Sequence, residues 1–381
     1  FSRSSLTTMA VCLLFIPALL KAQPRPAHRK KVGVVLSGGG AKGMAHIGVL
    51  KVIEKAGIPI DYVVGTSMGS IIGGLYSIGY SPEQLDSMVR RQDWTFLLSD
   101  KIPRSEQNLS ERDASQKYVF SIPFGKGVKA EVFGGLIRGQ NLANLFSELT
   151  IGYHDSINFN KLPIPFACVS ENIVNGNEVN FHEGVLATAM RASMAIPGVF
   201  TPVRLDSMVL VDGGVVNNYP VNVARAMGAD LIIGVDVQSE LKPAGELNSA
   251  GAILGQLVNL MGQDLYKKNL KETTTYIKVN VEGYSAASFT PSAIDTLIMR
   301  GEEAAMAQDS ALMALKSQLG LDSTYMPQPI PSYPYSPERK VYVKEITFDG
   351  LDEKDKKWLL KRCDLCLLYT SPSPRDAHES R

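Results

Sequence analysis

The sequence is short of the features that mark a metal site or a nucleic-acid binder. Lys and Arg number 39 against 38 Asp and Glu, a formal charge of +1 in 381 residues. That balance creates no positive field to draw a polyanion, so nucleic acid is not an expected partner. There are four cysteines and five histidines. Cys168 lies in an apolar stretch and reads as a small core residue. Cys363 and Cys366 form a C-x-x-C, but no second pair completes a zinc site and no βαβ setting supports a redox pair. Calcium-loop and zinc spacings are absent, so neither metal nor cofactor is expected. The apolar run Met9 to Leu20 has 12 residues, too short to cross a bilayer as a helix. With Arg3 before it and Lys21-Ala22 after it, it predicts a secretory signal over 1–22, cleaved after Ala22. Residues 23–30 are a Pro-rich, basic connector.

Hydrophobic residues are plentiful at 45% and charged ones make up 20%. The chain can bury the core of one large α/β domain with something smaller beside it. Its most informative stretch is Lys31 to Tyr80, which contains two glycine turns. Val32 to Leu36 is β-branched and apolar and predicts a buried strand. Gly38-Gly39-Gly40 follows, and from Ala41 the residues Met44, Ile47, Leu50 and Ile53 recur at helical spacing. Tyr62 to Val64 predicts a second strand. It runs into Gly65-Thr66-Ser67-Met68-Gly69 and then a helix from Ser70. G-x-S-x-G between strand and helix is a nucleophile elbow, which lifts the Ser67 hydroxyl clear of the sheet with helix amides turned toward it.

The first turn has three readings. Gly38-x-Gly40-x-x-Gly43 matches the dinucleotide fingerprint, but the acidic residue that fingerprint needs at the end of the second strand is missing: Asp61 begins that strand. The phosphate-loop pattern fails because Lys42 precedes Gly43 and Met44 follows it. The third reading is an oxyanion hole of glycine amides, placed beside Ser67 because the C-terminal ends of parallel strands share one crevice.

These residues resemble the patatin-like phospholipase family. The family's glycine-rich loop stands as Ser37 to Gly43, its elbow as Gly65 to Gly69, and its D-G-G turn as Asp212-Gly213-Gly214. Arg191 to Val203 and Asn217 to Pro220 are similar to the family as well. The resemblance covers about Lys31 to Leu319. It implies a three-layer α/β/α fold with a mainly parallel central sheet over 31–320. It also implies a Ser67–Asp212 dyad and a Gly38, Gly39, Gly40 oxyanion loop acting on phospholipids or other lipid esters at a membrane surface. Gly43, Gly65, Gly69, Gly213 and Gly214 complete its motifs. Lys42 reads either as a contact for a lipid phosphate or as a solvated lysine.

Along the rest of the chain, Ser81-Pro82-Glu83-Gln84 predicts a capped helix start. Trp94 to Gly134 has no period and reads as a lid or a solvated excursion. Arg138 to Leu149 resumes helical spacing. Asn175-Gly176 marks a hairpin after a strand from Pro165. Strand Met208 to Val211, helix Pro220 to Met227 and strand Leu231 to Val235 continue the alternation that makes parallel sheets. Helices are expected over Ile253 to Leu270 and Pro291 to Leu319. Residues 326–340 are a Pro-rich linker. The strand-then-helix pattern of 341–366 resembles the start of a POTRA module, which implies an outer-membrane barrel beyond it and a periplasmic or outer-membrane location. The tail, 367–381, has no hydrophobic period and resembles translated adapter sequence rather than native protein.

A serine needs a base. His46 sits on the first helix, and His154 and His182 lie in loop or hairpin settings, so a histidine base stays open beside Asp212. Partial burial of Asp212 would raise its pKa toward the range of a useful base. Two functions of other classes also stay open: a lipid- or phosphate-binding module without turnover, and a nucleotide-dependent oxidoreductase.

Overall fold

The computed structural model describes residues 29–102, 135–241, 243–248, 253, 256, 260–322, 324–328, 330 and 351–362. The expected signal segment, the region 103–134, the strand 341–350 and the tail lie outside them, as do most of the connector and linker.

In chain order the first elements are β1 (Val32–Leu36), α1 (Ala45–Lys55), β2 (Tyr62–Thr66), α2 (Met68–Ser77), α3 (Pro82–Arg91) and the single turn α4 (Trp94–Leu97). Next come β3 (Gly135–Ile137), α5 (Gln140–Leu149), β4 (Ile157–Asn158), β5 (Phe166–Asn172), β6 (Asn177–Phe181), β7 (Glu183–Gly184) and α6 (Leu186–Ser193). They are followed by β8 (Gly198–Phe200), β9 (Val203–Leu205), β10 (Met208–Asp212), α7 (Val221–Ala226), β11 (Leu231–Asp236), α8 (Gln263–Lys271) and β12 (Thr275–Lys278). Last are α9 (Pro291–Met306), α10 (Asp309–Gln318) and α11 (Glu353–Arg362). The capping box at α3 is formed: Ser81 accepts the Gln84 amide while the Gln84 side chain accepts the Ser81 amide. The helix expected from Pro291 to Leu319 is divided in two. At the break the Gln308 amide reaches back three residues to Ala305 O, and a new helix starts at Asp309.

The main sheet runs β12-β11-β1-β2-β5-β10-β9, with β6 also paired to β5. Strands β12, β11, β1, β2 and β5 are mutually parallel. Their apolar character follows from burial on both faces. Alternation shows it directly. Val32, Val34 and Leu36 pack into one core with residues of α1, α2 and α9, while Val35 joins the other with Val221, Val223 and Ala224 of α7. Phe166 and Cys168 of β5 face the first core, and Ala167 and Val169 the second. The result is three layers, helix on sheet on helix.

The register of β5 brings the ends of two strands together. Residues Phe166 to Val169 of β5 pair with β2, and Ser170 to Asn172 pair with β10. Strand β6 pairs with Cys168 to Asn172 and so overlaps both stretches. A strand has only two flanks, so β2 and β10 must share one and β6 must take the other. Because β10 is antiparallel to β5, it approaches from the opposite end. The C-terminal ends of β2 and β10 therefore meet head to head: Thr66 lies opposite Val169 and Asp212 opposite Ser170. A parallel strand after Met208 would have ended elsewhere.

Candidate active site

Ser67 stands where β2 passes into α2, with φ 54 and ψ −123. Positive φ in a residue with a Cβ is strained, at a cost of about 1–3 kcal/mol, and persists only where the surroundings enforce it. Here they do. A Cβ on Gly69 would strike the Leu36 carbonyl, and one on Gly65 the backbone of Gly69. The Ser67 amide donates to Ser193 Oγ at 3.0 Å, whose own hydroxyl donates to Val169 O at 2.6 Å. Ser70 Oγ donates to Ser67 O at 2.6 Å. The elbow is thus held from α6, from β5 and from its own helix.

Across the head-to-head junction, Ser67 Oγ donates to Asp212 Oδ2 at 2.7 Å. The other oxygen, Asp212 Oδ1, accepts the Gly214 amide at 2.7 Å, and the Asp212 amide donates to Ala195 O at 3.0 Å. A Cβ on Gly213 would meet the Val169 carbonyl. Burial raises the Asp212 pKa from 3.8 to about 6, against the two hydrogen bonds from Ser67 and Gly214 that favour its charged form. Desolvation wins because the carboxyl is removed from water while accepting only two donors.

The glycine loop lies beside this pair. The Gly38 amide donates to Asn218 O at 3.2 Å, so it is engaged and narrows the three expected donors. The amides of Gly39 and Gly40 have no acceptor among the described residues. Gly40, at φ 57, carries the turn into the helical stretch Gly40–Met44. A side chain at Gly43 would strike Met68, so this glycine lets the loop press against the elbow helix. Lys42 is only 8% exposed and its ammonium donates to Ser239 Oγ at 2.9 Å. It is therefore not the solvated lysine one sequence reading allowed, and it does not line the cavity described below.

The histidines stand apart. His46 is buried, its Nε2 bonded to Ser37 O at 2.8 Å, and burial lowers its pKa to about 4, so it stays neutral. His154 is exposed beside Asp155, and burial lowers the pKa of half-buried His182. Among the described residues none of the three is hydrogen-bonded to Ser67 or Asp212. Asp61 is also remote from the glycine loop. At the start of β2 it accepts the Val32 amide at 2.7 Å and both Arg29 nitrogens, which removes the acidic partner a dinucleotide would need.

Two supports were not singled out from sequence. Asn218 accepts the Gly38 amide through its own carbonyl, and its side chain donates to Gln238 Oε1 at 2.9 Å. Thr66 Oγ1 donates to Asn217 O at 2.9 Å. The pair Asn217-Asn218 thereby ties the elbow to the glycine loop. Ser193 is the second. The only signal for either was that each lies in a block resembling the family.

An apolar cavity of about 340 Å³ opens beside Ser67 and Gly40. Trp94 and Phe289, stacked with centroids 4.7 Å apart, form part of its wall. Such a space accepts hydrocarbon and excludes a charged head group.

A strained serine hydrogen-bonded to a buried aspartate, beside glycine amides that have no acceptor among the described residues, is an arrangement that can support acyl transfer through a serine. A family model for patatin-like phospholipases matches residues 34–225, about half of the chain, and the chain belongs to that family. Lysophospholipase NTE1 of Candida albicans is 31% identical over 221 residues, 56% of this chain and 14% of that protein. An uncharacterised NTE family protein of Mycobacterium bovis is 29% identical over 230 residues, 60% of this chain and 55% of that one. The chain thus spans about half, or much less, of these relatives. Among solved structures, VipD from Legionella pneumophila aligns over 76% of this chain and 67% of its own, at 15% identity and a TM-score of 0.43.

Proposed function

We propose that this chain is a serine lipid acyl hydrolase of the phospholipase A or lysophospholipase type, releasing fatty acids from phospholipids through a Ser67–Asp212 dyad. The observation that carries this reading is the buried 2.7 Å contact between Ser67 Oγ and Asp212 Oδ2 in the wall of an apolar cavity. Ser67 Oγ attacks the ester carbonyl while its proton passes to Asp212 Oδ2. The carbonyl oxygen becomes an oxyanion held by the Gly39 and Gly40 amides, each donor worth about 3 kcal/mol. When the acyl–oxygen bond breaks, Asp212 returns the proton to the departing alcohol, leaving the acyl group on Ser67. Water then attacks this ester, giving its proton to Asp212, and Ser67 leaves as the hydroxyl while the fatty acid departs.

Action at a membrane surface by an exported protein, periplasmic or in the outer membrane, fits the N-terminal apolar run and the POTRA-like segment. In the full-length protein that segment would lead into a barrel. Fractionation of the host tests location, and uncleaved protein confined to the cytosol would refute it. Chemistry is tested by incubation with lysophospholipid and diacyl phospholipid. Free fatty acid is the expected product, lost by roughly 10²–10⁴-fold in both Ser67→Ala and Asp212→Asn. Lipid retained without any fatty acid released would make the chain a binding module.

A further inference from the structure

We propose that the cavity is a ruler: it holds one acyl chain of about a dozen carbons, with a blind end set by Leu75 and Leu149. The proposal rests on the acyl hydrolase reading and adds a length and a position to it. One wall is a single face of α2. Met68, Ile71, Ile72 and Leu75 line the cavity, at the spacing of three, one and three that keeps residues on one side of a helix. Ser67 immediately precedes α2, so this face leads away from the nucleophile for roughly 12 Å at 1.5 Å per residue. The facing wall is the matching stripe of α5: Leu142, Leu145, Phe146 and Leu149.

The far ends of the two helices are joined. Tyr80, just past α2, donates its hydroxyl to Leu149 O at 2.9 Å, and its amide donates to Leu75 O at 3.2 Å. Leu75 is wholly buried and Leu149 8% exposed. Hydrocarbon entering at Ser67 therefore runs between α2 and α5 and stops at this latch. Its capacity follows from volume. An apolar cavity of about 150 Å³ accepts the six carbons of benzene, and at that density 340 Å³ accepts about a dozen. The space fits one chain and leaves no room for a second, so a diacyl lipid would have to keep its other chain outside.

The test reads binding without turnover. Saturated fatty acids of eight to eighteen carbons displace dansyl-undecanoic acid from the wild-type chain, and affinities are compared. Each added methylene should tighten binding about fourfold up to about a dozen carbons, with no gain beyond. Leu149→Ala, which removes three carbons at the blind end, should move the break to longer acids. Ile72→Phe, which fills the middle of the wall, should move it to shorter ones. Leu149→Val stands in if Leu149→Ala does not fold. Affinity that keeps rising to eighteen carbons, or a break that neither substitution moves, overturns the ruler. A chain that binds with the expected break yet hydrolyses no ester leaves the ruler standing and refutes the proposed function instead.

Discussion

Replacing Asp212 by asparagine should raise stability and abolish activity, and pH should separate the two effects. Its pKa rises from 3.8 to about 6 on folding. At about 1.4 kcal/mol per tenfold change in proton affinity, folding is disfavoured by about 3 kcal/mol more with this carboxyl ionised than protonated. The direction is that of a raised group. Well below pH 3.8 the carboxyl is protonated in both states and there is no penalty. The penalty grows as pH rises through 3.8, because the unfolded chain ionises first, and levels off once pH passes about 6 and the folded carboxyl ionises too. Asparagine does not titrate. Urea denaturation of wild type and Asp212→Asn at about pH 4 and pH 7 should show the variant gaining about 2.5 kcal/mol relative to wild type between the two, since about 0.5 kcal/mol of the penalty is already present at pH 4. Using the difference between the proteins removes every other titrating group. Activity moves the opposite way: wild-type hydrolysis should climb with pH, half-maximal near about 6 as the base is freed, and the variant should stay inactive throughout. A stability difference that is flat with pH, or larger at pH 4, would refute the argument that desolvation sets this carboxyl's proton affinity.

Three other outcomes are expected. Ser193→Ala should leave the Ser67 amide without its acceptor, costing about 1–3 kcal/mol and lowering kcat more than it raises KM, measured by denaturation and steady-state kinetics. Asp61→Ala removes the Arg29 pair and the acceptor of the Val32 amide; stability should fall by about 1–3 kcal/mol with kcat unchanged, since this contact lies at the start of β2. Cys168 is buried and its thiol pKa is pushed up, so iodoacetamide should label its peptide only after unfolding, as read by mass spectrometry.

The strands, the helix starts and the three motifs were legible in the chain because each is a local matter. Period, caps and glycine turns are set by neighbours a few residues apart. Ser67 is written in its elbow, and the dyad with Asp212 was implied by the family's motif order. What no local pattern contains is the direction of β10. The same residues Met208 to Asp212 would read identically in a parallel strand, yet only the antiparallel pairing to Ser170–Asn172 brings Asp212 against Ser67. The engaged Gly38 amide, the buried Lys42 and the blind end at Leu149 were equally out of reach. Each depends on a partner far along the chain: Asn218, Ser239 and Tyr80. Sequence determined which groups could react. Tertiary structure decided which of them meet, because contacts between distant segments depend on register and strand direction, and those are settled only when the whole sheet has formed.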